Sequence, residues 1–460
     1  MREYECTSMN NENIAHFDRM TKTPVEKLVI MLSIPTIISM LVSNIYNLVD
    51  TAFVGSLGNS ASGAVGIVFG FMAILQAIGF MFGQGSGSLI SRSLGAQNIE
   101  MASKIASTGF FSSLFTAIIV TIICFIFIEP IIFLLGSTHT IAPLAKKYIF
   151  FILITAPLQV TSFTLNVILR YEGKAFLSMY GLLAGSILNI LGDAILIIGF
   201  KMGIAGAGLS TAVSQSISFM ILLSAFLRRK TQVRISIKQF SPNFKLITEI
   251  IGTGFPTMIR QGLNSLSTIL LNHQAGIFGG DTAIAAMSIV SRIFFFIFSI
   301  SLGVGQGFQP VSAFNYGARK FARIRQAFRF TTCTAEMLVF FFSIFTFIFA
   351  QYFVRLFRDD VQVIEIAARA LRLQCAGILF LPFSMTCEML FQVTGKKLQA
   401  AILSSCRSGL FFIPILLILS FLRGISGIQE AQPLAYIISI IPSVILVSQF
   451  FNKLPKTDEI

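Results

Sequence analysis

Charged residues are scarce in this chain of 460 residues. Asp, Glu, Lys and Arg together make up 12% of it, hydrophobic residues make up 55%, and the mean hydropathy is +0.81. Soluble globular domains carry about 25% charged residues. Several apolar runs here reach about 20 residues, the length that an α-helix needs to cross a bilayer. The composition therefore excludes a soluble protein and predicts a polytopic helical membrane protein.

Residues that bind transition metals or perform catalysis are also few. The chain has six Cys and three His, and it contains no CxxC, HExxH or GxSxG sequence. Structural zinc sites, metalloproteases and serine hydrolases depend on such motifs. We therefore expect no transition metal, no cofactor and no enzymatic activity.

Acidic residues are fewer than basic residues, 20 against 34, which gives a net charge of +14. Most Lys and Arg lie in alternate short segments between apolar runs, and this pattern marks the cytoplasmic side of a membrane. The basic residues therefore indicate topology rather than nucleic-acid binding. We expect both termini in the cytoplasm and no cleaved signal peptide in the N-terminal tail.

Twelve apolar runs predict an all-α integral membrane protein with twelve transmembrane helices. The runs are residues 28–54, 63–88, 105–128, 148–169, 175–198, 206–227, 248–276, 283–312, 331–354, 365–392, 398–420 and 432–451. A basic segment between the sixth and seventh runs divides the chain nearly in half. The predicted parts are a cytoplasmic tail (1–27), an N-lobe (28–227), a basic cytoplasmic loop (228–247), a C-lobe (248–451) and a cytoplasmic C-terminal tail (452–460).

The two halves of the chain carry the same landmarks at one constant separation, which we call the repeat spacing. The pairs at this spacing are Gln84 with Gln306, Gly95-Ala96 with Gly317-Ala318, and Gly173-Lys174 with Gly395-Lys396, while Pro35-Thr36 and Pro256-Thr257 are closer by a single position. The repeat predicts two six-helix lobes related by a pseudo-two-fold axis. Transporters that open a substrate route alternately to each side are commonly built this way. A duplicated channel or scaffold remains an alternative.

A polar stripe runs through the first apolar segment. Ser39, Ser43, Asn47 and Asp50 recur at steps of four, four and three residues, which places them on one face of a helix. A carboxylate within a membrane costs at least about 2.5 kcal/mol, so Asp50 indicates a functional site. Pro35 removes a backbone hydrogen bond earlier in the same helix and predicts a hinge.

The fourth to sixth runs contain polar residues that could join Asp50. These residues are Tyr148, Asn166, Asn189, Asp193 and Thr211. Oxygen ligands without His or Cys suit a proton or a hard cation such as Na⁺. If Asp50 and Asp193 approach each other, both cannot ionise cheaply, so we expect them to share a proton or a cation.

The second half lacks acids at the matching positions, which are Asn272 and Ile415. Glu388, in the tenth run, is the acid that could serve a second site. Two interpretations of Glu388 remain open: a functional acid, or a buried ion pair with Arg260, Arg292 or Arg407.

Substrate contacts are less well defined by the sequence. The 48 Phe and 16 Met residues, with no Trp, suit a cavity that holds flat apolar cations by dispersion and cation–π attraction. The polar candidates for substrate binding are Asn47, Gln76, Gln84, Asn264, Gln306 and Glu388. Helix packing explains Gln76, Gln84 and Gln306 at least as well.

Several motifs resemble those of the multidrug and toxic compound extrusion (MATE) family. They are the Pro fifteen residues before Asp50, FVGSLG from Phe53, SLGAQN from Ser93, NILGDAILIIG from Asn189, GIAGAGLST from Gly203 and QPVSAFNYGARK from Gln309. The resemblance covers essentially the whole chain and is strongest to the DinF and MepA-like bacterial branches. One departure is that other branches place a Glu in the seventh helix, whereas the stretch after Pro256 has no acid.

The resemblance implies a monomeric antiporter of the bacterial inner membrane that exports amphiphilic organic cations against H⁺ or Na⁺. It implies a coupling site in the N-lobe formed by Asp50, Tyr148, Asn166, Asn189, Asp193 and Thr211, with Na⁺ at Asp50, Asn189, Asp193 and Thr211 if sodium is the ion. A flippase for lipid-linked precursors is the alternative, because intramembrane bases of the second half would suit a phosphate. These bases are Arg260, Arg292, Arg369, Arg372 and Arg407.

Overall fold

The computed structural model describes residues 13–455 and residue 458. Helices and short turns make up this part of the chain, which contains no strand. The helices of the first half are α1 (residues 13–22), α2 (Val25–Gly55), α3 (Asn59–Gly95), α4 (Ile99–Ile126), α5 (Ile128–Leu134), α6 (Ala142–Tyr171), α7 (Ala175–Asp193) and α8 (Gly203–Leu227). The helices of the second half are α9 (Phe244–Gly317), α10 (Phe321–Ile348), α11 (Ala350–Phe357), α12 (Val361–Gly377), α13 (Leu381–Val393), α14 (Lys397–Ser405), α15 (Phe412–Arg423) and α16 (Ile425–Lys453).

Eleven helical segments of the described residues are long and apolar enough to cross a membrane. The longest, α9, has 74 residues and is broken at Gly280, whose φ of 61° and ψ of −157° are not helical. Glycine adopts this backbone conformation without the steric cost that a side chain imposes. Because α9 accounts for the seventh and eighth predicted spans, the all-helical architecture agrees with twelve predicted crossings.

Hydropathy placed the ends of some helices incorrectly. The ninth apolar run was predicted to begin at residue 331, whereas α10 begins at Phe321. The first turns of α10 carry the basic residues Arg323, Arg325 and Arg329. A helix continues past the hydrocarbon region when its polar groups remain hydrated or paired, so apolarity alone does not mark its end.

The outer faces of the long helices are apolar. On α4, Ile119, Ile122 and Ile126 are exposed, and on α10, Met337 and Phe341 are exposed. Exposed apolar surface on this scale is unfavourable in water and is normal against lipid. The exposed side chains therefore agree with a membrane environment for these helices.

The chain forms two compact units. Unit 1 contains the described residues of Met1–Lys22 and Ile38–Met258, and unit 2 contains those of Thr23–Ile37 and Ile259–Ile460. Two helices therefore change unit within their length, α2 after Ile37 and α9 after Met258. Each change comes two positions after a proline, Pro35 or Pro256, and these prolines belong to the matching landmarks of the repeat.

Close helix crossings occur at matching places in the two units. In unit 1, a Cβ added to Gly85 of α3 would lie 1.9 Å from the carbonyl oxygen of Ile250 in α9. In unit 2, a Cβ added to Gly307 of α9 would lie 2.7 Å from the backbone nitrogen of Ser33 in α2. Small residues let helix backbones approach closely in membranes. Since Gly85 and Gly307 are separated by the repeat spacing, the crossings belong to the repeat.

Candidate functional site

Two carboxylates lie in contact in the interior of unit 1. Asp50 of α2 is 1% exposed and Asp193 of α7 is 0% exposed, and their side chains are within hydrogen-bonding contact. One oxygen of each, Oδ1, has no hydrogen-bond partner among the described residues. Two buried carboxylates in contact cannot both remain ionised without a compensating charge. The pair is therefore suited to hold one proton or one cation.

The helix that carries Asp193 changes its winding at this residue. The α-helical turns of α7 end at Asp193, and the segment Ala194–Gly199 is a π-helical turn. Such turns are rare and occur frequently at functional sites. The neighbouring helix α8 approaches closely here, because a Cβ added to Gly192 would lie 2.5 Å from Ser210 Oγ. The local winding and the small residue together bring α8 to the carboxylates.

Polar side chains of α7 and α8 surround Asp193. In the amide orientation that satisfies the network, Asn189 Nδ2 donates to Asp193 Oδ2 at 3.1 Å. In the same orientation, Asn189 Oδ1 accepts from Thr211 Oγ1 at 3.2 Å. Ser210 Oγ donates to the carbonyl of Asn189 at 3.0 Å. These contacts fix the amide so that it faces the carboxylate.

Two tyrosines complete the cluster. Tyr148 of α6 is hydrogen-bonded to the side chain of Thr211, and it is 1% exposed. Tyr46, one turn before Asp50 on α2, lies close to both carboxylates. Tyr46 and Ser210 were not predicted from the sequence. The signal for Tyr46 was its spacing of four residues from Asp50, which places both on one helix face.

The structure does not bring Asn166 to this cluster. Asn166 lies five turns after Tyr148 on α6, which is about 27 Å along a helix axis. Its Nδ2 donates to the carbonyl of Ser178, at the start of α7, at 3.0 Å. The expectation that Asn166 joins the carboxylates is therefore wrong in this geometry, because Asn166 bonds near the start of α7, whereas Asp193 lies at the end of that helix.

A cavity of about 190 Å³ lies within unit 1. Two predicted substrate contacts, Asn47 and Gln76, line it. Gln84 instead accepts a hydrogen bond from Tyr171 Oη at 2.8 Å, so it joins α3 to α6. The other lining residues are Ser43, Tyr46, Phe69, Met72, Ala73, Gln159, Phe163, Leu182, Gly185, Ser186, Gln215 and Ser218. No Asp, Glu, Lys or Arg is among these lining residues of the described chain.

Glu388 forms ion pairs in the interior of unit 2. Its Oε1 lies 3.3 Å from Arg260 Nε and its Oε2 lies 3.4 Å from Arg407 Nη2. Arg292, the third candidate partner, is exposed. The ion-pair interpretation of Glu388 is therefore confirmed, and a direct substrate contact for this residue remains a prediction.

A second cavity, of about 130 Å³, lies within unit 2. Asn264 and Arg407 line it, together with several aromatic rings. Gln306 is buried in α9 and is not among the residues that line this cavity. Of the two predicted second-half amides, only Asn264 therefore faces a cavity.

A helical membrane protein with a repeat, a buried acid pair and a pair of matching cavities, one in each unit, has the architecture of a secondary transporter. A family model described as MatE matches residues 35–195 and 256–446. The chain therefore belongs to the MATE family, and it is a membrane transporter rather than an enzyme.

Similar proteins cover nearly the full chain. The multidrug export protein MepA of Staphylococcus aureus (strain N315) is 29% identical over 421 residues, which are 91% of this chain and 92% of that protein. A solved outward-facing multidrug resistance MATE family transporter of the MOP superfamily superposes with a TM-score of 0.91 at 26% identity, covering 95% of this chain and 98% of that chain. A MATE crystal structure in a bent conformation superposes with a TM-score of 0.89, also at 26% identity, covering 95% and 98%. The predicted family and fold class are confirmed.

Proposed function

We propose that this transporter exports amphiphilic organic cations from a bacterial cell in exchange for H⁺ or Na⁺. The observation that carries the proposal is the buried contact between Asp50 and Asp193, which needs a proton or cation to neutralise it. The similarity to a protein named for multidrug export supports the substrate class. The uncharged, partly aromatic cavity of unit 1 suits a flat apolar molecule.

The proposed cycle couples the acid pair to the cavity through α2. This helix carries Asp50 and also lines the cavity through Ser43, Tyr46 and Asn47. Entry of a proton or Na⁺ neutralises the pair, α2 bends at Pro35, and the cavity contracts so that the drug leaves. Release of the ion to the cytoplasm restores the cavity and admits new drug, so the two ligands favour different states.

Na⁺ would find oxygen ligands at Asp50, Asn189, Asp193 and Thr211, provided that the Asn189 amide turns its oxygen toward the carboxylates. Carboxylate, amide and hydroxyl oxygens suit a hard cation. A proton would instead be shared between the two carboxylates. Imposing a sodium gradient at equal pH, and then a pH gradient without sodium, distinguishes the two ions by which one drives efflux.

We infer that both termini lie in the cytoplasm and that the two lobes span residues 28–227 and 248–451. We also infer that the transporter is a monomer. The excess of Lys and Arg in alternate loops supports this orientation. Cysteine labelling of the loop at Lys201 and of the loop at Lys238 with a membrane-impermeant reagent tests it, since only Lys201→Cys should react from outside.

Gradient-driven efflux of ethidium from proteoliposomes tests the proposed function. Asp50→Asn and Asp193→Asn should abolish efflux, because the neutral amide no longer responds to the ion. Glu365→Gln changes an exposed acid of α12 and serves as the control. Efflux that persists in both aspartate variants would show that the acid pair does not couple the ion to the drug.

A flippase for lipid-linked precursors is the second candidate, because unit 2 contains the basic group of Arg260 and Arg407 around Glu388. The cavity beside this group measures about 130 Å³, which is small for a lipid-linked sugar. The similarity to a protein named for multidrug export favours the drug exporter. Binding of a polyprenyl phosphate without binding of an organic cation would reverse this preference.

A further inference from the structure

We propose that the cavity of unit 2 is a second binding site, which takes the carboxylate of a small aromatic molecule at Arg407. This site lies outside the coupling pair of unit 1, and the proposal does not depend on the export of organic cations. Three independent features of unit 2 carry it: its buried charge, the position of Arg407, and the relation of its cavity to that of unit 1.

The buried ion group of unit 2 has one positive charge in excess. Arg260, Glu388 and Arg407 are 7%, 3% and 3% exposed. One carboxylate therefore stands between two guanidinium groups, and arginine remains protonated in proteins. A net charge in a low-dielectric interior is costly unless another charge offsets it. An anion bound beside this group would restore neutrality.

Arg407 is the member of the group that faces the cavity. It lines the cavity, whereas Arg260 and Glu388 do not. Its Nη2 makes no hydrogen bond within the described residues, and its ion-pair distance to Glu388 is 3.4 Å. A guanidinium has five N–H donors arranged in a fork that matches a carboxylate. Arg407 therefore has donors left for a ligand.

The backbone at Arg407 is unusual in the same way as the backbone beyond Asp193. Arg407 belongs to the π-helical turn Cys406–Leu410 between α14 and α15. Ser267 Oγ of α9 donates to the carbonyl of Ser408 in this turn. This hydrogen bond attaches the turn to α9 and so limits the directions in which the Arg407 side chain can project.

The two cavities occupy equivalent places in the repeat. Most residues that line the cavity of unit 1 have a counterpart that lines the cavity of unit 2. The two residues of such a pair are separated by the repeat spacing or by one residue fewer. At this spacing Arg407 corresponds to Gly185, and Phe298 corresponds to Gln76. Unit 2 therefore repeats the cavity of unit 1 with an arginine and aromatic rings added. An arginine at the position of a glycine in the matching cavity indicates a site for anions.

The size and lining of the cavity define the ligand. Phe294 and Tyr436 have nearly parallel rings with centroids 6.0 Å apart, and both line the cavity with Phe412. A cavity of about 150 Å³ binds benzene, and this one measures about 130 Å³, so its volume limits the ligand to one small ring. That ring would lie among the aromatic side chains, with the carboxylate at Arg407.

Equilibrium dialysis of the full-length protein in phosphatidylcholine nanodiscs tests the site with radiolabelled probes of matched size. Wild-type protein should bind benzoate at least tenfold more tightly than benzyl alcohol or benzylammonium. Arg407→Gln should weaken benzoate at least tenfold and leave benzyl alcohol unchanged. Arg369→Gln, an exposed arginine of α12, should have no effect.

Two further measurements distinguish an aromatic-carboxylate site from the proposed ion coupling and from a lipid-phosphate site. Asp50→Asn should keep benzoate binding although it abolishes ion-driven efflux, so each proposal can fail alone. Equal affinity for benzoate and benzylammonium in wild-type protein overturns the site even if Arg407→Gln does not fold. If phosphatidylglycerol displaces benzoate only from protein that retains Arg407, the site takes a lipid phosphate and the aromatic-carboxylate assignment is overturned.

Discussion

At the scale of single residues, each unit contains a buried cluster with an excess of one charge. The excess is negative in unit 1 and positive in unit 2. Unit 1 has two carboxylates, Asp50 and Asp193, without a basic partner in their cluster, and unit 2 has two arginines around Glu388. Buried charges are retained only where function or pairing offsets their desolvation. The acid pair therefore suits a small cation or a proton, and the basic group suits an anion.

Substitution of Asn189 and of Asn166 tests which of the two amides belongs to the coupling site. Asn189→Ala removes the donor to Asp193, and a hydrogen bond to a charged group is worth about 1.5–3 kcal/mol. The ion concentration that half-saturates efflux should rise roughly ten- to hundredfold. Asn166→Ala should leave it unchanged, since Asn166 bonds to Ser178. An equal effect of both substitutions would contradict the geometry.

Glu388 should be more important for stability than either of its partners. Glu388→Gln leaves two buried guanidinium groups without a carboxylate, and breaking a buried pair in this way costs about 3–5 kcal/mol. Arg407→Gln leaves a neutral pair of Arg260 and Glu388 and should cost less. Thermal denaturation of the two variants checks this order, and a more stable Glu388→Gln protein would refute it.

At the scale of helices, two crossings through small residues hold the ends of α2 and α9. The N-terminal part of α9 packs on Gly85 in unit 1, and the N-terminal part of α2 packs on Gly307 in unit 2. Ser33 Oγ of α2 also donates to the carbonyl of Val304 at 3.3 Å. Both helices are therefore anchored ahead of their prolines, which is the arrangement that a hinge requires.

Gly85→Ala tests the crossing in unit 1. The new Cβ would lie 1.9 Å from a backbone oxygen, so the helices must separate, at a cost of about 1–3 kcal/mol. The melting temperature should fall. Gly70→Ala in the same helix is the matched control, because its Cβ meets no atom within 4 Å and helix propensity favours Ala by about 1 kcal/mol. Equal melting temperatures for the two variants would argue against the crossing.

The segment that follows α8 is held by a buried glutamate at the end of α6. Glu172 accepts hydrogen bonds from the backbone nitrogens of Gln232 at 3.1 Å and Val233 at 3.4 Å. His16 Nε2 of α1 lies 2.9 Å from the carbonyl oxygen of Glu172. Burial raises the pKa of Glu172 to about 7 and lowers the pKa of His16 to about 4.

These two pKa shifts predict opposite effects of pH on stability. Glu172 stabilises the fold below its unfolded pKa of 4.5, and this contribution is lost as the pH rises through about 7. His16 stabilises the fold above its unfolded pKa of 6.5, and this contribution is lost as the pH falls through about 4. The two slopes offset each other between about pH 4.5 and 6.5.

Single substitutions should reveal each slope in a series of melting temperatures against pH. In Glu172→Gln only the His16 contribution remains, so the stability of this variant should rise with pH between about 4 and 6.5. In His16→Gln, stability should fall with pH between 4.5 and 7. Parallel curves for the wild type and both variants would contradict the buried state of these groups.

At the scale of the whole molecule, the repeat relates the two cavities, the helix crossings and the changes of unit. These features recur in the second half at the repeat spacing or at one residue fewer. The charged residues, in contrast, differ between the halves. The common scaffold therefore serves both units, and the substituted side chains give each unit its own chemistry. Pro35 and Pro256 mark the same point in the two crossing helices.

Much of this organisation could be predicted from the sequence, because apolar runs, spacing and intramembrane acids are read along the chain. The acid pair with Asn189, Thr211 and Tyr148 was predicted in this way. Contacts across helices were harder to predict. Asn166 was expected to join the acid pair, but it bonds to the carbonyl of Ser178. Tyr46 was missed because an aromatic residue in an apolar helix gives no polar signal. The partners of Glu388 required the structure, since three arginines were equally compatible with the sequence.

We propose above all that the acid pair of unit 1 links ion movement to drug movement. Coupling between two ligands is reciprocal, so an imposed ethidium gradient in proteoliposomes, with no ion gradient, should drive H⁺ or Na⁺ in the opposite direction. Wild-type protein should show this exchange, and Asp50→Asn and Asp193→Asn should not. Ion movement that persists in both variants, or ethidium movement in the wild type without any ion movement, would contradict the account.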